Sequence, residues 1–324
     1  MKAIVRSEYG TPDVLQLEDV PTPEPGEGDA LVRIRASSVN RSDLEALAGR
    51  PLAYRAFMGI RRPRERRMGI DAAGEVAAIG PGVQKFKPGD RVFADLLYNG
   101  QCAFAEFACA KAKAWRPIPD GVDYETAATL PASAVLALQG LGGGDGVRAG
   151  DRVLIIGASG GVGIFAVQIA KRAGAHVTGV ASGDKFDLVR SIGADEVIDY
   201  RRDNYTDGDR RYDRVLDPVA LRSVFAMRRV LADGGVYGAH GARTSGGLLH
   251  AAALGRLLSV GRNRRMGLVF GRPNDAADLA TVAEMVRDGS LVPVIDRTYE
   301  LGGVPDAMRR YAAGEARGKL VIRI

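Results

Sequence analysis

Five small or apolar residues in the segment GASGGVG begin a helix-like run: Ser159, Gly160, Gly161, Val162 and Gly163. Glycines at this spacing allow a tight turn, close approach of backbone amides to a pyrophosphate, and close packing of the next helix on a sheet. The helix N-terminus adds unpaired amides and the positive end of its dipole. Ala158 replaces the first glycine of the G-x-G-x-x-G pattern, but a strand precedes the turn, and a helix and a strand follow it. The segment therefore predicts a dinucleotide-binding turn, with a purely structural turn as the alternative.

The second strand of this crossover ends at Ser182, where an NAD-binding unit has an Asp or Glu for the ribose 2'-hydroxyl. An acid there would repel a 2'-phosphate, so its absence removes the main discrimination against NADP. Ser182 can donate a hydrogen bond, and Lys185 brings a positive charge to the same point. Asp184 is the nearest acid, and its position favours a role as a helix N-cap. The ending VASGDK thus predicts NADPH, while a solvated helix residue is the alternative for Lys185.

Two kinds of periodicity predict the elements that would position these residues. From residue 1 to 118, apolar and polar residues alternate, as in ALVRIRASSVN, and turns rich in Gly and Pro separate the runs, which predicts a mostly β domain. From 119 to 267, helices alternate with short apolar strands such as RVLIIG and HVTGVA, which predicts a doubly wound parallel sheet. Residues 268–324 form the closing part of the first domain. The predicted fold class is therefore α/β, with the nucleotide-binding domain inserted into a discontinuous β domain.

Composition indicates a globular protein in a reducing compartment. Of the 324 residues, 46% are hydrophobic and 26% are charged, which is enough for two cores. Cys102 and Cys109 would lie on opposite faces of a strand, so no disulfide framework is expected. The net charge of +6 is only a weak signal for anionic ligands. No apolar run approaches the ~20 residues of a membrane helix, so we expect a cytoplasmic protein without a membrane partner.

Five segments along nearly the whole chain occur in the order of one family: KAIVRSEYGTPDVLQLEDVPTPEPGEGDALVRIRASSVNRSD, GIDAAGEVAAIGPGVQKFKPGDRVFA, GASGGVGIFAVQIAKRAGA, SIGADEVIDY and GEARGKLVIRI. With them the chain resembles the medium-chain dehydrogenase/reductase superfamily, in its zinc-independent quinone oxidoreductase-like branch. The resemblance implies a GroES-like, mostly β catalytic domain, an inserted Rossmann domain and a homodimer. It also implies hydride transfer from NADPH to a quinone, an alkene conjugated to a carbonyl, or a carbonyl, in the cleft between the domains.

The ligand motifs of the zinc alcohol dehydrogenases are missing from this chain. Asn40 stands where those enzymes have a cysteine ligand, and GIDAAG stands where they have Gly-His-Glu. A catalytic zinc needs about three Cys, His or carboxylate ligands, and a structural one usually has four thiolates. The positions of His176, His240 and His250 do not suit a ligand set. We therefore predict no metal, so hydrogen bonds and the cofactor's geometry must activate the substrate oxygen.

By position in the family motifs, the resemblance adds further residues to the site. Asn40 would line the nicotinamide and substrate pocket, where its amide could hydrogen-bond the substrate oxygen; a turn residue that ends the strand is the alternative. Tyr200 matches a tyrosine that contacts the 2'-phosphate in NADPH-binding relatives. Arg317 and Lys319 match a segment that can approach the cofactor phosphates. The remaining cofactor positions are Leu136, which replaces a threonine at the nicotinamide, and Ala239.

Departures from the family pattern leave the cofactor prediction intact and the substrate open. Arg41 replaces the proline of the usual N-P-x-D/E segment, while Asp43 is retained, and Glu45 replaces a tyrosine found in many quinone reductases. The usual proton donor is therefore missing. Asp43 and Tyr54 are the candidates for that role, with solvent as the alternative. Two rival functions stay open: an NADP-dependent carbonyl reductase or alcohol dehydrogenase, and a non-catalytic NADPH-binding protein.

Two arginine clusters could bind anions: GIRRPRERRMG, with Arg61, Arg62, Arg64, Arg66 and Arg67, and VGRNRRMG, with Arg262, Arg264 and Arg265. Such clusters can contact the phosphates of nucleic acids. No nucleic-acid fold or aromatic stacking platform accompanies them, and only 6% of the residues are aromatic. We therefore expect no nucleic-acid partner, a solvated loop near the cleft for the first cluster, and a surface or subunit-contact segment for the second. Attraction of an anionic substrate by the first cluster is a further hypothesis.

Overall fold

A computed structural model of the protein describes residues 1–143, 146–240, 264–268 and 271–324, without the side chain of Ala53. The chain divides into two compact units. Unit 1 consists of Met1–Ser133, Pro273–Gly289 and Pro293–Ile324, and unit 2 of Ala134–Arg272 and Ser290–Val292. His250 and Arg262, which the sequence analysis considered, lie outside the described residues.

The strands in the described ranges are β1 (Lys2–Val5), β2 (Gln16–Asp19), β3 (Asp29–Ser38), β4 (Asp71–Ile79), β5 (Arg91–Asp95), β6 (Phe107–Lys111), β7 (Arg116–Pro117), β8 (Arg152–Ile156), β9 (His176–Ala181), β10 (Glu196–Asp199), β11 (Tyr212–Asp217), β12 (Leu231–Ala239), β13 (Arg265–Leu268), β14 (Ile295–Glu300) and β15 (Lys319–Arg323). The α-helices there are α1 (Arg41–Ala48), α2 (Arg55–Met58), α3 (Tyr124–Ala128), α4 (Ser133–Gly140), α5 (Gly161–Arg172), α6 (Phe186–Ser191), α7 (Val224–Arg229), α8 (Ala276–Arg287) and α9 (Val304–Ala312). None of these helices combines the length and the apolar character needed to cross a membrane.

Unit 1 is built on a mixed sheet with the order β14-β15-β3-β4-β5-β7, in which β6 also pairs with β3. Strand β3 follows the predicted alternation, because Val32 and Ile34 are buried while Arg33 between them is exposed. It pairs antiparallel with β4, where Val32 lies opposite Val76. Both valines belong to a core cluster that includes the fully buried Trp115. The period-two pattern therefore identified the strand at the centre of this sheet.

A second apolar cluster of unit 1 holds α1 and α9 against β1 and β15. It includes Leu47 of α1, Met308 of α9, Ile4 of β1 and Leu320 of β15, all at most 1% exposed. Burial of an aliphatic side chain of this size contributes about 1.5–3 kcal/mol. Strand β15 pairs on its other side with β3, so that Val321 lies opposite Ser38. This packing brings the start of α1 next to β15.

Unit 2 is built on a parallel sheet with the order β10-β9-β8-β11-β12-β13 in the described part of the chain. All of these neighbours pair parallel. A parallel sheet is covered on both faces, which explains why Val153, Leu154, Ile155 and Ile156 are all at most 3% exposed. The order reverses between β8 and β11, and the carboxyl ends of strands at such a point form a ligand-binding crevice. The predicted α/β class is confirmed.

The boundary between the units differs from the expected change after residue 118. Asp123 caps the first turn of α3 with its carboxylate. The Tyr124 hydroxyl of α3 then donates to Glu75 of β4 at 2.8 Å, so α3 covers the sheet of unit 1. Unit 1 therefore continues to Ser133, and its later part begins at Pro273 rather than at residue 268. A helical pattern alone does not say which sheet the helix covers.

Candidate functional site

The glycine-rich turn of unit 2 joins β8 to α5, and its geometry requires glycine at two positions. Gly157 has a φ of 70°, in the left-handed region that favours glycine. A Cβ on Gly163 would lie 2.2 Å from the carbonyl oxygen of Gly157 and 2.7 Å from the carbonyl carbon of Ala158. Only glycine fits this close contact between the helix and the turn. Gly163 therefore has the packing role that its place in the pattern predicts.

The same turn presents hydrogen-bond donors at the carboxyl edge of the sheet. Gly160 is the N-cap of α5, and the amide of Ile164 donates to the Gly160 carbonyl at 3.0 Å. The amides of residues 161–163 precede this first helical hydrogen bond, so together with the helix dipole they favour a bound anion. Ser159 precedes them and is 7% exposed. This arrangement suits the pyrophosphate of a dinucleotide.

The segment after β9 holds the side chains predicted to contact a 2'-phosphate. Ser182 is 4% exposed, and its hydroxyl hydrogen-bonds the Asp184 carboxylate, which lowers the pKa of Asp184. Asp184 lies inside the 3₁₀ turn Gly183–Lys185 and not at an N-cap, which corrects its expected role. Lys185 is only 8% exposed, so it is not a solvated helix residue. A serine and a buried lysine thus stand where NAD-binding units have an acid.

A surface pocket of about 570 Å³ opens beside this segment, at the carboxyl ends of β9 and β10. It is lined by Gly183, Asp184, Phe186, Val197, Asp199, Arg201, Arg202 and Asp203. The Asp199 carboxylate accepts the amides of Gly183 at 3.2 Å and of Arg201 at 2.9 Å. The Arg201 guanidinium lies over the ring of Tyr200, 5.8 Å from its centroid, and Tyr200 is 45% exposed. Neither arginine was among the predicted site residues, although both directly follow Tyr200 as a basic pair.

Unit 1 holds a buried polar cluster around Lys319 of β15. The Lys319 ammonium donates to Asn40 Oδ1 at 2.6 Å and to Ser133 Oγ at 2.9 Å, and it lies 3.5 Å from Asp71 Oδ2. Lys319 is 1% exposed and Asp71 is 0% exposed. Burial lowers the pKa of Lys319, and Asp71 opposes this effect. The donors of Lys319 are used inside unit 1 in this arrangement, and the contact with cofactor phosphates that the resemblance implies stays a prediction.

Asn40 is the N-cap of α1 and bridges this cluster. Its Nδ2 donates to Asp71 Oδ2 at 2.8 Å and to the Ser38 carbonyl at 3.1 Å. Its Oδ1 accepts from Lys319 and, at 3.1 Å, from Ser133 Oγ. Both amide protons are used inside unit 1, so none is offered to a substrate oxygen in this arrangement. The geometry favours the alternative in which Asn40 ends the strand and starts the helix.

Two buried carboxyl groups beside the cluster have pKa values raised toward or above neutral pH. Burial raises the pKa of Asp43 to about 8 and that of Asp95 to about 7, and the negative charge of Asp71 adds to both shifts. Asp43 Oδ2 accepts the Asn40 amide at 2.8 Å. Its Oδ1 has no hydrogen-bond partner among the residues that the structure describes. Asp43 is 0% exposed, so it can hold a proton but does not touch solvent.

Tyr54, the other candidate proton donor, is set apart from this cluster. It ends a 3₁₀ turn of unit 1 and is 44% exposed. Burial of its ring and the nearby Glu45 raise the pKa of its hydroxyl, which therefore stays neutral at physiological pH. Of the two candidates, only Tyr54 presents its proton at a surface.

Comparisons with known proteins extend over both units. The model of the alcohol dehydrogenase GroES-like domain matches residues 26–140, and the model described as zinc-binding dehydrogenase matches residues 192–322. The chloroplastic quinone-oxidoreductase QR1 of Triphysaria versicolor is 32% identical over 99% of this chain and 98% of its own length. The chain belongs to the medium-chain dehydrogenase/reductase superfamily. The predicted family is confirmed, in its quinone oxidoreductase-like branch.

Further members of this superfamily cover the chain equally well. The chloroplastic NADPH-dependent alkenal/one oxidoreductase of Arabidopsis thaliana is 30% identical over 99% of this chain and 79% of its own length. The solved structure of the quinone oxidoreductase from Coxiella burnetii covers 100% of this chain and 99% of its own, with 28% identity and a TM-score of 0.86. The chain is therefore an oxidoreductase, as predicted.

One of the matching family models is described as zinc-binding dehydrogenase, which raises the question of whether side chains of this chain could hold a zinc ion. Across the described ranges, no three His, Cys, Asp or Glu side chains are grouped so that they could hold a metal ion. Cys102 and Cys109 are free thiols. Burial lowers the pKa of His240 to about 4, and His176 is exposed at the start of β9. A reaction without zinc stays a prediction for this oxidoreductase.

The other residues that the resemblance assigned to the cofactor site differ in their burial and in the unit to which they belong. Leu136 of α4 is half-buried in unit 2, where a Cβ on Gly271 would lie 2.5 Å from its Cδ2. Ala239 ends β12 and is 0% exposed, at the same edge of the sheet as the glycine turn. Arg317 belongs to unit 1 and is exposed, although Lys319 two residues later is buried. Only Ala239 among these shares the strand edge with the turn.

Proposed function

We propose that this protein transfers a hydride from NADPH to a quinone or an α,β-unsaturated carbonyl, without zinc. The observation that carries the proposal is the carboxyl edge of unit 2. There the glycine turn offers amides to a pyrophosphate, and the segment from Ser182 to Lys185 replaces the acid of NAD-binding units. The substrate class is supported by the relatives named quinone-oxidoreductase and NADPH-dependent alkenal/one oxidoreductase.

The residues at this edge fit a cofactor with a 2'-phosphate. The Lys185 ammonium provides a positive charge and the exposed Tyr200 a hydroxyl donor, while the Ser182 hydroxyl would have to turn from Asp184 to the phosphate. Arg201 and Arg202 line the adjacent pocket with guanidinium groups, which match phosphate geometry. In our proposal these side chains bind the 2'-phosphate, while the amides of residues 161–163 bind the pyrophosphate. NADPH supplies the hydride, and the protein supplies binding and orientation.

Negative charge develops on the substrate oxygen during such a reduction and must be stabilised and protonated. The Asn40 amide donates to Asp71 and Ser38, so we propose the Tyr54 hydroxyl as the donor instead. Its raised pKa keeps it protonated at neutral pH. The cluster of Asn40, Asp71 and Lys319 has a positioning role in this proposal, because it holds the start of α1 on β15.

Fluorescence titrations with NADPH and NADH, followed by assays on a quinone, an enone and an aldehyde, test the proposed function. We expect tighter binding of NADPH, consumption of NADPH with the quinone or the enone, and a saturated ketone as the product from the enone. An alcohol as the only product would instead support a carbonyl reductase. Tight NADPH binding with no turnover on all three substrates would support the non-catalytic alternative. The homodimer and the cytoplasmic location stay predictions.

A further inference from the structure

A short segment of unit 1, residues 52–64, forms a tightly closed tip that we call the arginine tip. Gly59 has a φ of 115°, and a Cβ on it would lie 2.0 Å from the carbonyl oxygen of Arg62. The Arg64 amide donates to the Met58 carbonyl at 2.7 Å, and the Tyr9 hydroxyl donates to the Gly59 carbonyl at 2.7 Å. These contacts close the turn and attach it to the rest of unit 1. The side chains around the turn are therefore presented in a defined arrangement.

The arginine tip exposes three large apolar side chains within nine residues. Leu52 is 66% exposed, Phe57 is 81% exposed and Ile60 is 75% exposed. Single exposed apolar residues are ordinary, but several large ones within one short segment are typical of an interaction site. Phe57 lies two residues before Gly59 and Ile60 directly follows it, so the closed turn includes the backbone of both. These side chains would gain free energy from contact with an apolar phase.

Three exposed arginines follow these apolar residues along the chain. Within the described ranges, Arg61, Arg62 and Arg64 are exposed and have no carboxylate partner. The next two arginines differ, because Arg66 pairs with Glu18 at 3.0 Å and Arg67 pairs with Glu65 at 2.8 Å. Among the described residues, the arginine tip therefore combines three guanidinium groups that have no carboxylate partner with three exposed apolar side chains.

We propose that the arginine tip docks on the surface of a bilayer that contains anionic phospholipids. Apolar side chains at the boundary of head groups and acyl chains, with basic side chains on the phosphates, are the two contributions that hold interfacial segments on membranes. Phe57 and Ile60 supply the apolar contribution, and Arg61 and Arg62 supply the basic one. The expectation of no membrane partner was based on the lack of an apolar run long enough for a membrane helix, and a contact with the bilayer surface does not need such a run.

Lipid fits this surface better than nucleic acid does. Single-stranded nucleic acid is bound by basic grooves and by aromatic side chains on which bases stack. Leu52 and Ile60 are aliphatic and offer no stacking face, and both would stay exposed to water on a nucleic acid. In the acyl boundary of a bilayer the same side chains are buried, while the guanidinium groups remain on phosphates. The apolar half of the surface therefore decides between the two partners.

Co-sedimentation with vesicles of phosphatidylglycerol and phosphatidylcholine, against vesicles of phosphatidylcholine alone, tests the proposal. We expect the wild-type chain to bind only the anionic vesicles, and the binding to weaken as salt is added. R61E/R62E and F57S/I60S should each reduce the partition coefficient roughly tenfold or more. The matched control is R222E/R229E, which changes the net charge equally at two exposed arginines of unit 2 and should bind as the wild type does.

A fluorescence reporter keeps the test independent of folding defects. The chain has a single tryptophan, Trp115, which is fully buried, so Phe57→Trp adds a signal at the arginine tip. We expect its emission to shift to shorter wavelength with anionic vesicles only. No wild-type binding to anionic vesicles, or equal losses in R61E/R62E and R222E/R229E, overturns the proposal. Binding to single-stranded nucleic acid that R61E/R62E abolishes and F57S/I60S retains, without vesicle binding, would assign the surface to nucleic acid.

Discussion

Lys319 and Asp71 face each other inside unit 1, with Nζ and Oδ2 3.5 Å apart and side-chain exposures of 1% and 0%. Asn40 and Ser133 complete the hydrogen bonds of this pair. Taking two charges out of water costs several kcal/mol each, and their attraction offsets this only while both are present. The stability of unit 1 should therefore respond more strongly to the loss of one partner than to the loss of both.

We expect Lys319→Met to lower the free energy of unfolding by about 3–5 kcal/mol, because Asp71 is then buried without a counter-charge. Denaturant unfolding at neutral pH measures the loss. The double variant K319M/D71N is the control, and it should recover much of the lost stability because no buried charge is left alone. If the losses of Lys319→Met and Asp71→Asn simply add in the double variant, the pair is not coupled.

The buried Asp43 should make the protein less stable as the pH rises. Its pKa of about 8 in the folded state, against an ordinary value of 3.8, means that the folded chain keeps a proton which the unfolded chain releases. The stabilisation is fully present below about pH 4 and is lost as the pH rises to about 8. We expect Asp43→Asn to remove this part of the pH dependence, an effect on the order of a few kcal/mol.

Unfolding free energies of wild type and Asp43→Asn, measured from about pH 5 to about pH 9, test this expectation. The control is Asp209→Asn, at an exposed aspartate of unit 2, which should retain the wild-type slope. Parallel curves for wild type and Asp43→Asn would mean that the carboxyl group is already charged in the folded state.

Gly163→Ala should weaken both unit 2 and its affinity for NADPH. The new Cβ would lie 2.2 Å from the Gly157 carbonyl oxygen, so either α5 or the turn must move away from the position that holds the amides. We expect a dissociation constant for NADPH at least about tenfold higher, since each 1.4 kcal/mol of lost interaction is a factor of ten. Gly267→Ala is the matched control, because a Cβ there meets nothing within 4 Å. Equal affinities in both variants would contradict the role of the turn.

The preference for NADPH over NADH should depend on the segment after β9. Ser182→Asp places an acid where NAD-binding units have one, so we expect NADPH affinity to fall by about tenfold or more and NADH affinity to be retained. Lys185→Ala should reduce the preference in the same direction, because it removes a positive charge next to the 2'-phosphate. Arg210→Ala is the control, since Arg210 pairs with Glu196 at the opposite end of β10. An unchanged NADPH-to-NADH ratio in Ser182→Asp would exclude this segment as the selective element.

Tyr54→Phe should lower kcat with an enone by roughly 10²-fold, the usual contribution of a positioned proton donor, and leave the dissociation constant of NADPH unchanged. The removal of a hydroxyl that is 44% exposed should not unfold unit 1, which a thermal unfolding curve checks. Tyr98→Phe is the control, because its hydroxyl lies on a side chain that is 80% exposed. A kcat equal to that of the wild type would mean that solvent supplies the proton.

Local residue patterns determined the glycine-rich turn and the class of the fold. Gly163 was predicted as a packing glycine because backbone geometry at a strand–turn–helix junction depends on neighbours within a few residues, which the sequence shows directly. The alternation around Val32 and Ile34 likewise marked β3 correctly. Such features depend on spacing along the chain, and spacing is what a sequence contains.

Long-range contacts decided which polar side chains are buried, and Lys319 shows why. Arg317 and Lys319 are two residues apart and equally basic, yet one is exposed and the other is buried 3.5 Å from Asp71, 248 positions earlier in the chain. Which of them turns inward depends on the pairing of β15 with β3 and on the packing of α1, and neither is encoded near residue 319. The sequence therefore determined the fold class and the glycine-rich turn. Only the tertiary structure decided which polar side chains are enclosed, because burial depends on surfaces that distant segments bring together.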